Sequence, residues 1–175
     1  MKITVNDVSL YYEVIGSGQP LIMLHGNGED HTIFDKAAAI LSEHFTCYLL
    51  DSRGHGQSSP VEDLSYQVMA DDVIAFIDVL GIQKPVLYGF SDGGILGLMV
   101  AIKRPELLSR LIISGANLDP HGVKNSLYVM LKVMTFFKKD PKLLLMLREP
   151  QIKPEELKAI KVPTLVLAGS KDLIR

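Results

Sequence analysis

The stretch Pro85-Val86-Leu87-Tyr88-Gly89-Phe90-Ser91-Asp92-Gly93-Gly94-Ile95-Leu96-Gly97-Leu98 decides the fold. Its opening Val86, Leu87 and Tyr88 form a continuous apolar run, the pattern of a strand buried on both faces. Residues 93–102 are nearly all apolar and read as a helix that ends around Arg104-Pro105. Between the two, Gly89-Phe90-Ser91-Asp92-Gly93 matches G-x-S-x-G. With 14 glycines and 12 serines in 175 residues, about 0.08 such matches arise by chance, so context must decide. The context is strand, sharp turn, helix. Gly89 and Gly93 let the backbone turn tightly and pack close, which pushes the Ser91 hydroxyl outward. That hydroxyl stands at a helix N-terminus, where amide groups and the helix dipole stabilise negative charge. The competing reading is a glycine-rich helix start with an incidental serine.

The same alternation extends along the chain. Ile3 and Val5, then Leu10, Tyr12 and Val14, alternate with polar residues around a turn at Asn6-Asp7 and read as two short strands. Residues 21–24 and 47–50 are buried-strand runs, and 111–113 and 164–168 read as further strands. Helical spacing joins Phe34, Ala37, Ala38, Leu41 and Phe45, and again Met69, Val73, Phe76, Ile77 and Leu80 behind a Ser65 N-cap. Strands alternating with helices predict an α/β domain: a mostly parallel sheet with helices on both faces.

Residues 118–162 break the alternation. Leu127, Met130, Leu131, Met134 and Phe137 make one helical stripe, and Asp140-Pro141 and Lys153-Pro154 read as starts of further short helices. This segment carries nine of the 18 basic residues and five of the 20 acidic ones, hence +4 against −6 elsewhere. We expect a small helical cap inserted between core segments 1–117 and 163–175. A basic, methionine-containing cap suits amphiphilic or anionic substrates; the blander reading is solvated lysines on helices whose other face is core.

Composition closes other routes. The chain is 47% hydrophobic and 22% charged with a net charge of −2, which excludes disordered and low-complexity classes. One cysteine, Cys47, can form neither an internal disulfide nor a thiolate cluster. The longest apolar run, residues 95–102, is too short for a membrane span, and the first residues carry no signal-peptide pattern. Near-neutral charge without tryptophan gives no sign of nucleic-acid binding. A cytoplasmic protein with no metal and no cofactor is the expectation.

Two more motifs follow strand ends: His25-Gly26-Asn27-Gly28 after Leu24, and Asp51-Ser52-Arg53-Gly54-His55-Gly56 after Leu50. In an open parallel sheet the site lies at the carboxyl ends of the strands, where both loops would stand. The three motifs in this order resemble the α/β-hydrolase fold family, in its serine esterase-like branch, over residues 8–172. The resemblance implies Ser91 as nucleophile and the backbone amides of Asn27 and Asp92 as the oxyanion hole. It implies His25, Gly26, Gly89 and Gly93 as supporting motif residues, and His25 and His55 as loop-packing groups rather than bases. Asp172, after the last strand, would be the acid, with Asp119 as the alternative.

In that family the order is serine, acid, histidine. Only Leu173, Ile174 and Arg175 follow Asp172, so the histidine, last strand and last helix of the family pattern are not in this sequence. His31 and His121 are the substitutes to weigh, though neither stands where such a fold presents its base. Ester or related acyl-bond hydrolysis of a small molecule through acyl-Ser91 is expected, with little activity from these 175 residues alone. The alternatives are a non-catalytic ligand-binding module, or a carbon–carbon bond hydrolase or cofactor-free haloperoxidase type. An exposed sheet edge would favour a homodimer or a swapped assembly.

Overall fold

In the computed structural model, which describes residues 1–174, the amino-terminal alternation folds as a hairpin of β1 (Lys2–Val5) and β2 (Val8–Ile15). Asn6 and Asp7 turn it at positive φ, a conformation their short polar side chains tolerate. The apolar runs become β3 (Gln19–Leu24), β4 (Phe45–Leu50), β5 (Val86–Phe90), β6 (Arg110–Ser114) and β7 (Thr164–Leu167). Together they form one sheet in the order β1-β2-β4-β3-β5-β6-β7. From β4 to β7 all neighbours are parallel, with β1 and β2 antiparallel at one edge.

Alternate residues of one strand show both faces covered. Ile22 and Leu24 pack with Phe76, Leu96 and Leu111 in one cluster, whereas Leu21 and Met23 pack with Phe34, Ala38 and Cys47 in the other. The helices responsible are α1 (Asp35–Leu41) on one face, and α2 (Tyr66–Val79) and α3 (Asp92–Lys103) on the other. The α/β class with helices on both faces is what the sequence predicts.

Between β6 and β7 lie α4 (Asn125–Phe137), α5 (Pro141–Arg148) and a 3-10 turn at Glu156–Ala159. The Asp140 side chain caps α5 by accepting from the Lys142 amide at 2.9 Å. The helix expected after Lys153-Pro154 is only that 3-10 turn, because four residues cannot offset the cost of nucleating an α-helix. No helix among the described residues is long and apolar enough to cross a membrane.

The chain runs from β3 to β4 on one side of the sheet, then returns to place β5 on the other side of β3. Such a reversal opens a crevice at the carboxyl ends of the two diverging strands. Here those ends are Leu24, which leads into His25-Gly26-Asn27, and Phe90, which leads into Ser91.

Candidate active site

Ser91 is the hinge between β5 and α3, at φ 52 and ψ −115, a backbone conformation that an L-residue adopts only under constraint. Its neighbours impose it. The Ser91 amide donates to Ser114 O at 2.7 Å, and the Gly93 amide donates to His25 O at 3.1 Å. A Cβ on Gly93 would fall inside the van der Waals shell of Leu24 O, and one on Gly89 inside that of Gly93 O. Both glycines are therefore set by close backbone approach, which locks the turn against the end of β3.

The His25-Gly26-Asn27 loop crosses directly above. A Cβ on Gly26 would lie 3.1 Å from Ser91 Cβ, and the Gly26 amide is tied back to Glu29 Oε2 at 2.9 Å. Asn27 does more than lend a backbone amide to this loop. Its Nδ2 donates to Asp92 Oδ2 at 2.9 Å and to Lys142 O at 3.2 Å, so one side chain joins the loop, the start of α3 and the start of α5. Asp92, as the first residue of α3, has an amide with no carbonyl one turn earlier to bond. Burial pushes its carboxyl up to about 6, while hydrogen bonds from Asn27 and Tyr66 pull the other way and the Glu29 charge adds to the rise. Tyr66, Glu149 and Glu29 had no motif to mark them in the sequence; Tyr66 reads there only as the first residue of a helix.

Ser91 opens into a cavity of ≈ 280 Å³. Val123, Leu127, Leu131 and Met146 give it an apolar wall from the segment between β6 and β7. Asp172 reaches the same cavity from beyond β7, and a Cβ on Gly115 at the end of β6 would lie 3.7 Å from its Oδ2. Asp172 Oδ1 accepts from the Leu173 amide at 2.7 Å. Asp119 lies elsewhere: it borders a separate cavity beside His121, whose amide donates to Asp119 Oδ1 at 2.8 Å. The fold thus brings Ser91, Asp92 and Asp172 together and leaves Asp119 apart.

Among the described residues, none of the five histidines lines the Ser91 cavity. His25 is buried, donates through Nδ1 to Gly26 O at 2.7 Å and accepts from the Ser52 amide at Nε2 at 3.1 Å. That pairing fixes a neutral ring, and burial lowers its basicity. His55 stacks beside it at 5.2 Å, donates to Arg53 O at 2.9 Å, and is pushed down to about 4, chiefly by burial. His31 bonds Asp51 Oδ1 at 2.8 Å, and His121 lies against Tyr128 at 4.7 Å. Asp51 also accepts from the Gln57 amide, while Arg53 forks onto buried Asp72 at 2.5 and 2.6 Å. The Asp51–Gly56 loop is thereby tied to His25, His31 and α2, with no described bond to Ser91. No group of three or more His, Cys, Asp or Glu among the described residues is arranged to hold a metal ion.

Comparison with known proteins agrees with this fold. The profile described as alpha/beta hydrolase fold matches residues 19–142. The AB hydrolase superfamily protein YisY of Bacillus subtilis is 32% identical over 98% of this chain and 81% of its own length. That alignment covers 219 positions against 175 residues here, so at least 44 positions are gaps in this chain and part of the length difference is internal. A putative esterase/lipase of Haemophilus influenzae is 39% identical over 53% of this chain, a match spanning 32% of that protein. Among solved structures, a thermophilic esterase from Thermogutta terrifontis superposes with a TM-score of 0.80 at 25% identity, over 99% of this chain and 81% of the esterase.

Proposed function

This chain belongs to the alpha/beta hydrolase fold family, and we propose that it is a serine hydrolase cleaving a carboxylic ester or related acyl bond through acyl-Ser91. The observation that carries this reading is the constrained backbone of Ser91, φ 52, at the mouth of a cavity that Asp172 also lines. Strain of this kind persists only where the surroundings over-determine it, and here it aims a hydroxyl at a substrate-sized space. The descriptions of the Haemophilus influenzae relative as an esterase/lipase and of the Thermogutta terrifontis structure as an esterase point the same way.

In the proposed reaction Ser91 Oγ attacks the acyl carbon, and the carbonyl electron pair moves onto oxygen. The backbone amides of Asn27 and Asp92 receive that oxyanion. The serine proton passes to a base and then to the departing alcohol, and water later releases the acyl group by the same route. Asp172 would orient the imidazole that acts as base; it lines the Ser91 cavity, whereas Asp119 lines a separate one. Residues 118–162 serve as a cap on core segments 1–117 and 163–175, and their apolar wall favours an uncharged acyl group of short to medium length.

No imidazole among the described residues faces Ser91, so the 175 residues alone should react slowly. Loss of the base from a serine triad costs on the order of a millionfold, leaving ~10³–10⁴ over water. Labelling with a serine-directed fluorophosphonate, followed by intact-mass analysis, tests the assignment. A slow adduct accelerated by added imidazole and absent from Ser91→Ala is expected. An adduct of equal rate in Ser91→Ala would overturn it.

A second reading draws on the apolar wall of the same cavity: a module that binds an acyl or aromatic ligand without turnover. It requires that Ser91→Ala leave ligand affinity unchanged and that no acyl adduct form on Ser91 with any activated ester. We also propose that the bare edge of β7, where Leu165, Val166 and Leu167 are exposed, pairs two copies of the chain.

A further inference from the structure

The cavity accounts for only one face of α4. Leu127 and Leu131 turn toward Ser91, yet Val129, Met130, Val133, Met134, Phe136 and Phe137 are all exposed. Spacings of four and seven or eight residues join these six into one wide apolar arc, which runs on from Leu127 and Leu131 around to the exposed side of the helix. An apolar arc this wide is expected to have a partner beyond the cavity it walls.

The shape of the stripe and its charges say what kind of partner. Phe136 and Phe137 are 83% and 82% exposed, with their rings edge to face at 5.3 Å. Rings so bare stand clear of the surface instead of rimming a groove, so they suit penetration into a soft layer better than docking of a protruding knob. Between residues 124 and 142 stand five lysines and a single acid, Asp140. Lys132 lies 4.8 Å over the Tyr128 ring, Lys138 reaches Asp140 at 3.1 Å, and exposed Lys139 follows at once. Two copies packed through this stripe would bring lysine against lysine, which counts against self-association here. Aromatic rings at the end of an apolar stripe, flanked by lysines, match the interface of an anionic bilayer.

We propose that the outward face of α4 is a peripheral docking surface for an anionic lipid bilayer. Phe136 and Phe137 enter the headgroup–acyl boundary, and Lys132, Lys138 and Lys139 meet lipid phosphates. The inner face of the same helix walls the Ser91 cavity, so a docked molecule holds that cavity about one helix diameter, ~10 Å, from the membrane.

Co-sedimentation of the 175-residue protein with vesicles tests this, and binding is read whether or not Ser91 acylates. Vesicles of phosphatidylcholine containing phosphatidylglycerol should retain the protein, less so as salt rises, while phosphatidylcholine alone should retain little. The double variant Phe136→Ser/Phe137→Ser should weaken retention about tenfold or more. Lys138→Gln/Lys139→Gln should weaken it about fivefold per lysine. All four side chains are exposed, so the thermal transition of each variant should stay where it is; a variant whose transition moves is replaced by the other pair. Failure of the protein to sediment with the anionic vesicles overturns the proposal. So does retention that neither double variant reduces. A self-association that Phe136→Ser/Phe137→Ser abolishes, without vesicle binding, would assign the stripe to a second copy and equally overturn it.

Discussion

Ser91 carries its strain because the turn around it cannot relax. At φ 52 a glycine would be at ease, so Ser91→Gly should raise stability by about 1 kcal/mol in urea unfolding while eliminating fluorophosphonate labelling. Gly93→Ala should do the reverse: its methyl meets Leu24 O, and the expected loss is about 3 kcal/mol by the same measurement. Two buried groups give opposite responses to pH. The Asp92 carboxyl is raised from 3.8 to about 6, so its proton is held more tightly in the folded chain and its share of stability falls as pH rises from 4 through 6. His55 is lowered from 6.5 to about 4, so its share is complete above 6.5 and is lost as pH falls toward 4. Each spans about 3 kcal/mol, and between pH 4 and 6 they largely cancel. Asp92→Asn removes one side of that balance. Thermal melts of this variant should show a steeper loss of stability between pH 6.5 and 4 than the parent chain, and a parallel pair of curves would refute the opposition.

At the scale of elements, the helices around the site are joined through their ends. The Tyr66 amide at the start of α2 donates to Glu149 Oε2 at 2.8 Å, and Ser65 Oγ accepts from the Gln67 amide at 3.2 Å. Glu149 follows α5 directly, so a carboxylate from the segment between β6 and β7 closes the N-terminus of a core helix, where negative charge is favoured. Glu149→Ala should cost about 2 kcal/mol, because it strands a part-buried donor, and should speed amide exchange throughout α4 and α5. Asp140→Ala, which removes the cap of α5 and the exposed pair with Lys138, should cost about 1 kcal/mol and leave exchange in α2 unchanged. The Ser65 cap and the Asp140-Pro141 start were legible, because capping is written in neighbouring residues. The Glu149 link was not, since 83 residues separate it from the amide it serves.

For the whole molecule, the sheet ends on one side in a strand whose four residues are all exposed. Val166→Lys should keep the chain monomeric in light scattering at micromolar concentration if β7 pairs with another copy, and an unchanged mass in both forms would count against that pairing. The sequence by itself determined the α/β alternation, the turn at Ser91 and the glycines that permit it. Those features rest on local periodicity and on steric limits within a few residues, which a chain carries at every stage of folding. The family resemblance ranked Asp172 ahead of Asp119, but only the tertiary structure decided that Asp172, and not Asp119, shares a cavity with Ser91. Likewise only packing decided that Asn27 grips Asp92 and Lys142, that no described histidine faces Ser91, and that most of the apolar arc of α4 stays exposed. Such facts depend on which surfaces meet when the sheet closes, and a burial pattern read along the chain cannot say what lies across from it.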